Sequence, residues 1–421
     1  MISQIKNLIE QIKCGEVPEG YKKTKVGIVP AEWKEVQLCL LSSHNTRKNT
    51  DGKVQITLTN SATQGVIKQT DYFDKRISNI ENITGYYVVQ EDDYIYNPRI
   101  SVSAPCGPIN KSHFSENGVV SPLYTVFRMN NDLKKNRYIE FYFKSSFWHR
   151  YICGVANYGA RHDRMNVTND DLFSMPVIFP PLAEQQKIAE ILSTQDKLIE
   201  LKEKRIEAKK RQKKYLMQQF LTGQKRLHGF SNEWINMQLG DVFVERVETN
   251  CQDLELLSIT GTRGVISRSK IEIKDNSSED KSKYLKICKG DIGYNTMRMW
   301  QGVSALSKFE GIVSPAYTIL IPSKKISAKY FSYLFKMHHV IFLFYRFSQG
   351  IVDDTRSLKY HEFAKLHLYV PSDKKEQTAI AELLDTIDKE IDLLQKDLDQ
   401  EKQKKKALMQ LLLTGIVRVN I

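Results

Sequence analysis

The chain has 421 residues, 41% of them hydrophobic and 26% charged, which is ample apolar surface for folding and more length than one core usually organises, so disorder is excluded and two globular units with connectors are expected. Lysine and arginine outnumber aspartate and glutamate by 62 to 49, a formal charge of +13, and such a surplus favours a polyanionic partner through counterion release. The six cysteines (Cys14, Cys39, Cys106, Cys153, Cys251 and Cys288) form no CxxC pair, and no histidine stands at metal-ligand spacing, which argues for reduced thiols, a cytoplasmic location and no metal.

Residues 1–10 interleave Lys6 and Glu10 with apolar side chains and have no continuous apolar run or small-residue cleavage site, so secretion is not expected. A first globular unit opens at Glu32-Trp33 and Gln37-Leu38. Short apolar runs at 86–90, 94–96 and 119–129, set between turn signals, predict strands, and residues 138–151 predict a helical stretch. The basic and polar residues between them that could reach base edges are Thr63, Gln64, Lys68, Arg99, Lys111, Arg161, His162 and Arg164; the last three follow Gly159, whose freedom suits a recognition loop. A long helix is predicted from Glu184 to Gly223, after Pro180-Pro181 and closed by Thr-Gly.

The second unit opens in the same way, at Glu233-Trp234 and Gln238-Leu239. A strand is expected over 314–321 and a helical stretch over 329–347, giving a mixed α+β domain. Its candidate DNA-contacting residues are Thr262, Arg263, Arg268, Arg298, Gln301, Arg346, Gln349 and Arg356. Arginine and glutamine suit guanine and adenine edges because each offers two parallel hydrogen bonds. The longest apolar run, residues 340–345, is far too short to cross a bilayer, so no membrane partner is expected. A second long helix follows Pro371, from Glu376 to Gly415.

The two helical segments align without a gap when the numbering is shifted by 192, with about 21 identities in 40 positions, the mark of an internal duplication. Upstream, Val119 to Thr125 is answered by Ile312 to Thr318, and Gly65-Val66-Ile67 by Gly264-Val265-Ile266. Each 40-residue helix makes a rod of about 60 Å. A heptad seam runs through Ile188, Leu192, Ile199, Ile206, Leu216 and Phe220 on the first, and through Ile380, Leu384, Ile387, Ile391, Leu394, Leu398, Leu408 and Leu412 on the second, so the two should form an antiparallel coiled coil separating the units in a pseudo-twofold arrangement. Lys202, Lys209 and Glu401 interrupt the seam, either fixing register or lifting their charges out to solvent along the helix face.

No catalytic residue is predicted. Asn97-Pro98-Arg99 lacks the second proline and the aromatic of a base-flipping methyltransferase motif, Glu272-Ile273-Lys274 has no preceding proline-aspartate pair of a metal nuclease, and no Walker lysine loop is present. A coiled-coil scaffold that binds only protein stays open beside a DNA reader.

Pro180-Pro181-Leu182-Ala183-Glu184-Gln185-Gln186-Lys187-Ile188-Ala189 with the closing Leu-Thr-Gly, the opening Gly20-Tyr21-Lys22-Lys23-Thr24, Val26 to Pro30 and Glu32-Trp33, and the repetition of this layout closely resemble the specificity subunit of Type I restriction-modification systems. The resemblance implies target-recognition domains at 1–180 and 224–371, spacer helices at 181–223 and 372–421, and one half of a split DNA sequence read by each domain. It implies two methyltransferase (M) subunits that bind S-adenosylmethionine, restriction (R) subunits that use ATP, and no cofactor on this chain. The second helix departs from the pattern with Val370-Pro371-Ser372-Asp373 in place of Pro-Pro.

Overall fold

A computed structural model describes residues 2–72, 80–158, 163–271, 280–353 and 355–420. The chain folds as two compact units, one of residues 1–201 with 398–421 and one of residues 202–397. Both boundaries fall inside the long helices, Leu182–Leu221 and Lys374–Leu413. Each unit therefore contains the beginning of one long helix and the end of the other.

In the first unit four antiparallel strands lie in the order Ser42–His44, Thr125–Met129, Tyr94–Tyr96, Ile109–Lys111. Their inner face packs Tyr94, Tyr96 and Phe127 against Tyr138 and Phe143 of the following helix and Trp148 of the turn after it, all buried. The opening strand Lys34–Gln37 pairs with Pro176–Phe179, all four of whose residues are buried. Pro180-Pro181 then ends the strand, since proline has no N–H to donate, and leads into the long helix.

Two expected elements are interrupted. The run 119–129 is two strands, Gly118–Val120 and Thr125–Met129, because the Tyr124 amide donates to the Ser121 carbonyl at 3.0 Å and Pro122 supplies the turn's fixed φ. The Ser-Pro-x-Tyr segment is thus a turn, and its second copy does the same between Gly311–Val313 and Tyr317–Pro322. The helical stretch 138–151 is Arg137–Lys144 and His149–Val155. Ser145 stops the first of these by donating its hydroxyl to the Tyr142 carbonyl at 2.6 Å and accepting from the Phe147 amide at 3.2 Å, a local alternative to helical bonding.

The second unit repeats this plan. Its sheet runs Phe243–Glu245, Tyr317–Pro322, Ile292–Asn295, Ser304–Leu306, and its opening strand Trp234–Gln238 pairs with His367–Pro371. The expected helix over 329–347 is likewise broken, into Ala328–Leu334 and His338–Phe347. Phe243, Tyr294, Phe331, Phe335, Phe344 and Phe363 fill the core, with rings meeting mostly edge to face.

The long helices pair antiparallel within both units. In the first, Gln195 donates to Glu401 at 2.6 Å and Lys405 pairs with Asp196. In the second, Lys202 pairs with Asp397, Lys209 with Glu390 at 2.8 Å and Lys213 with Asp388 at 2.6 Å. Of the seam residues, Ile188, Leu192, Ile206, Ile380, Leu384, Ile387, Leu398 and Leu412 are buried, while Ile199, Leu216, Phe220, Ile391, Leu394 and Leu408 are half-buried. The polar interruptions Lys202, Lys209 and Glu401 each reach across to the other helix. Half-exposed pairs of this kind contribute up to about 1 kcal/mol each. Lys213–Asp388 and Lys405–Asp196 are the same pair in the two copies, and each lysine also sits over an aromatic ring, Tyr333 at 5.2 Å and Phe141 at 5.8 Å. Among the described residues no helix is long and apolar enough to cross a membrane.

Candidate nucleic-acid interface

The two units share an equivalent β-hairpin outside the main sheet, Leu58–Ser61 with Gly65–Lys68 and Leu257–Thr260 with Gly264–Ser267. Gly65 and Gly264 close the turns at φ 74° and 75°, in the left-handed region that glycine adopts without a steric penalty. The side chain opening each turn fixes it. Ser61 Oγ accepts from the Thr63 and Gln64 amides, both at 3.3 Å, and Thr260 Oγ1 accepts from the Arg263 amide at 3.0 Å. Thr63 and Gln64 in one unit, and Thr262 and Arg263 in the other, therefore stand exposed on ordered turns.

In the first unit exposed Arg99 lies beside half-buried Arg164 across an isolated backbone bridge. Asp163 holds both, at 3.3 Å from Arg99 and 4.0 Å from Arg164. Lys68 is half-buried on its strand. Lys111 is placed differently from the other candidates: it is buried, 2.7 Å from Asp92 and donating to the Lys134 carbonyl at 2.9 Å, so its charge is engaged inside the unit. Arg161 and His162 lie outside the described residues, as does Glu272-Ile273-Lys274.

In the second unit Arg298 and Gln301 are exposed on the loop after the central strand Ile292–Asn295, a loop closed by Gly302 at φ 78°. Arg346 and Gln349 are exposed at the end of His338–Phe347, and Gln349 bridges to Ser357. Arg356 stacks 4.1 Å from the Tyr345 ring centre and donates to its hydroxyl at 3.2 Å, which holds the planar guanidinium in one orientation. Arg268 is half-buried.

Charge in the sequence gives no sign of two apolar residues in these loops. Val102 and Ile351 are about as exposed as a side chain can be, at 105% and 98%, and an apolar side chain among arginines suits a thymine methyl group. Other arginines belong to the fold: Arg128 grips buried Asp93 with bonds of 2.7 and 3.0 Å, and Arg246 grips Asp291 at 2.8 and 3.2 Å. Among the described residues no group of three or more His, Cys, Asp or Glu side chains is placed to hold a metal ion.

The family described as "Type I restriction modification DNA specificity domain" matches residues 35–210 and again residues 231–402. The chain belongs to this family. As a specificity-family chain it matches once in each repeat, and each match runs from an opening strand into a long helix. Its fold is similar to that of a chain in a structure described as the structural basis of complex assembly and conformational transition of the type I R-M system, with a TM-score of 0.53 at 13% identity over 92% of this chain and 99% of that one. It is also similar to the Type-I restriction-modification system S subunit from M. genitalium, with a TM-score of 0.51 at 13% identity over 90% of this chain and 96% of that one. At such identities the likeness is one of fold.

Proposed function

We propose that this chain is the sequence-reading subunit of a Type I restriction-modification complex in the cytoplasm, each unit reading one half of a bipartite DNA target and the paired helices setting the length of the unread gap. One observation carries the reading: the same scaffold, duplicated, presents Gln64 in one copy and Arg263 in the other at equivalent turns, beside a threonine that both share (Thr63 and Thr262). Shared packing with divergent turn residues is what two readers of different half-sites require. The formal charge of +13 supports phosphate contact.

In this reading the chain performs no chemistry. Two methyltransferase subunits carrying S-adenosylmethionine, and restriction subunits using ATP, act on DNA that this chain selects. Leu201 and Leu393, the same position in the two helix copies, are exposed at 55% and 66%, and exposed leucines repeated by the duplication suit two copies of one partner.

Methylome sequencing of the host with and without the gene tests the proposal: loss of one two-part motif with an undetermined middle is expected. Gel shifts of the purified chain on that duplex should weaken steeply with salt. A scaffold that binds only protein would leave the methylome unchanged and shift no duplex, and methyl transfer by the isolated chain would refute the non-catalytic role.

A further inference from the structure

The duplication places a lysine at the same point of both units, and its surroundings have diverged. Residues 138–144, Tyr-Ile-Glu-Phe-Tyr-Phe-Lys, correspond to residues 330–336, Tyr-Phe-Ser-Tyr-Leu-Phe-Lys. In the first unit Lys144 bonds Glu140, four residues back on its own helix, at 2.7 Å. In the second unit the position of Glu140 is taken by Ser332, whose hydroxyl donates to the Lys329 carbonyl at 2.7 Å. Lys336 instead points into the unit and donates to three backbone carbonyls, Gly302 at 2.6 Å, Ser304 at 2.7 Å and Gly261 at 3.4 Å.

Two of those carbonyls, Gly261 and Gly302, belong to the turns that present candidate base-contacting side chains, and the third opens the strand Ser304–Leu306 just after the second turn. Gly261 immediately precedes Thr262 and Arg263, and Gly302 closes the loop that carries Arg298 and Gln301. The first unit joins its equivalent turns without a charge. There Asn60 donates to the Ile95 and Pro108 carbonyls at 2.6 and 3.0 Å, Asn97 donates to the Asn60 carbonyl at 3.0 Å, and Asn110 donates to Asn60 Oδ1 at 2.7 Å and the Ser61 carbonyl at 3.2 Å. All three asparagines are buried.

We infer that Lys336 is a positioning residue for sequence reading in the second unit, an ammonium clamp holding the 261–263 and 298–302 turns at a fixed separation, as the three asparagines do in the first. An ammonium group has three N–H donors and no acceptor, matching three carbonyls from two segments. Burial, aided by the charge of Lys213, lowers its pKa to about 8, so at neutral pH it remains mostly protonated. Loss of the clamp frees the turns to move independently, and base readout depends on side chains held to within a fraction of an ångström.

The inference rests on the proposed DNA reading, and its test separates the two. The purified full-length chain is titrated with the duplex identified by methylome sequencing and with versions in which either half-site is scrambled. Lys336→Met should reduce discrimination between the intact and scrambled second half-site by roughly tenfold or more, with the first half-site read as before. Ser332→Glu should do the same by capturing Lys336 in the arrangement the first unit already uses, which keeps the test sound if Lys336→Met unfolds. Lys144→Met should leave the discrimination of both half-sites unchanged. If folded Lys336→Met and Ser332→Glu chains still discriminate the second half-site like wild type, the clamp is refuted. If the wild-type chain discriminates neither half-site, the DNA-reading proposal fails and the clamp's role with it.

Discussion

Truncating Arg418 should destabilise the first unit more than any ordinary surface ion pair could. Glu184, at the start of the first long helix, is 1% exposed and accepts from Arg418 Nε and Nη2, both at 2.7 Å, and from Trp33 Nε1 at 3.1 Å. With Arg418→Ala a buried carboxylate keeps only one neutral donor, and breaking a buried pair in this way costs about 3–5 kcal/mol. The Arg418 side chain is 42% exposed, so water partly replaces it and the lower end, about 3 kcal/mol, applies. Removing both charges with Glu184→Gln/Arg418→Met should recover most of the loss. Native-state hydrogen exchange of the full chain supplies the assay, with amides near 30–38 and 182–190 losing protection while those of residues 202–397 keep it. The reciprocal variant Arg226→Ala should move the other set, and by more, because Glu376 takes Arg226 at 2.6 Å through both Nε and Nη2 while Trp234 Nε1 finds no hydrogen-bond partner among the described residues. A loss under about 1 kcal/mol, or equal loss of protection in both units, would refute the reasoning.

Burial pushes the Glu140 carboxyl pKa up, but His113, Lys144 and Arg137 outweigh it and hold the group well below the usual carboxylate range. Its contribution to stability is therefore complete above the ordinary glutamate value of about 4.3 and is lost as acid drives the pH below that toward the folded-state value; in urea denaturation followed from neutral pH into acid, Glu140→Gln should flatten this part of the profile. Gly415 has φ 71° and a Cβ there would lie 2.5 Å from Pro30, so Gly415→Ala should lower stability by more than the roughly 1 kcal/mol of a left-handed strain alone. Gly229, at φ 90° with no described atom within 4 Å of where a Cβ would stand, should show the strain alone, and paired thermal melts decide. A fragment of residues 1–230 lacks Arg418 but retains its equivalent, Arg226, so it should dimerise by exchanging that end; a stable monomer in analytical ultracentrifugation would contradict this.

The duplication, the paired helices and the start of each unit are legible because they rest on periodicity and repetition, which a single sequence displays. Lys202, Lys209 and Glu401 can be recognised as breaks in the seam, but their partners Asp397, Glu390 and Gln195 depend on the antiparallel register. The strand break at Ser121-Pro122 and the helix break at Ser145 escape a reading of apolar periodicity, which runs through both, because local hydrogen bonds make the interruption. Polarity marks Thr63-Gln64 and Arg263 correctly as loop residues, yet it also marks Lys111, which meets Asp92 in the interior. Nothing in the spacing of Asn60, Asn97 and Asn110 announces that they meet.

The clasp between helix end and helix start explains why the compact units do not coincide with the repeats. Arg226 follows the first long helix and binds Glu376 at the start of the second; Arg418 follows the second and binds Glu184 at the start of the first. Gly223 likewise packs on Trp234, whose ring would stand 3.3 Å from an added Cβ, and Gly415 on Trp33 at 3.1 Å. Every repeat thus leaves its buried glutamate to be neutralised by the arginine of the other, and a single repeat folded on its own would retain an uncompensated buried carboxylate. Duplication with exchange therefore couples the folding of each unit to the presence of both repeats, as the proposed reading of a two-part site across a constant gap requires.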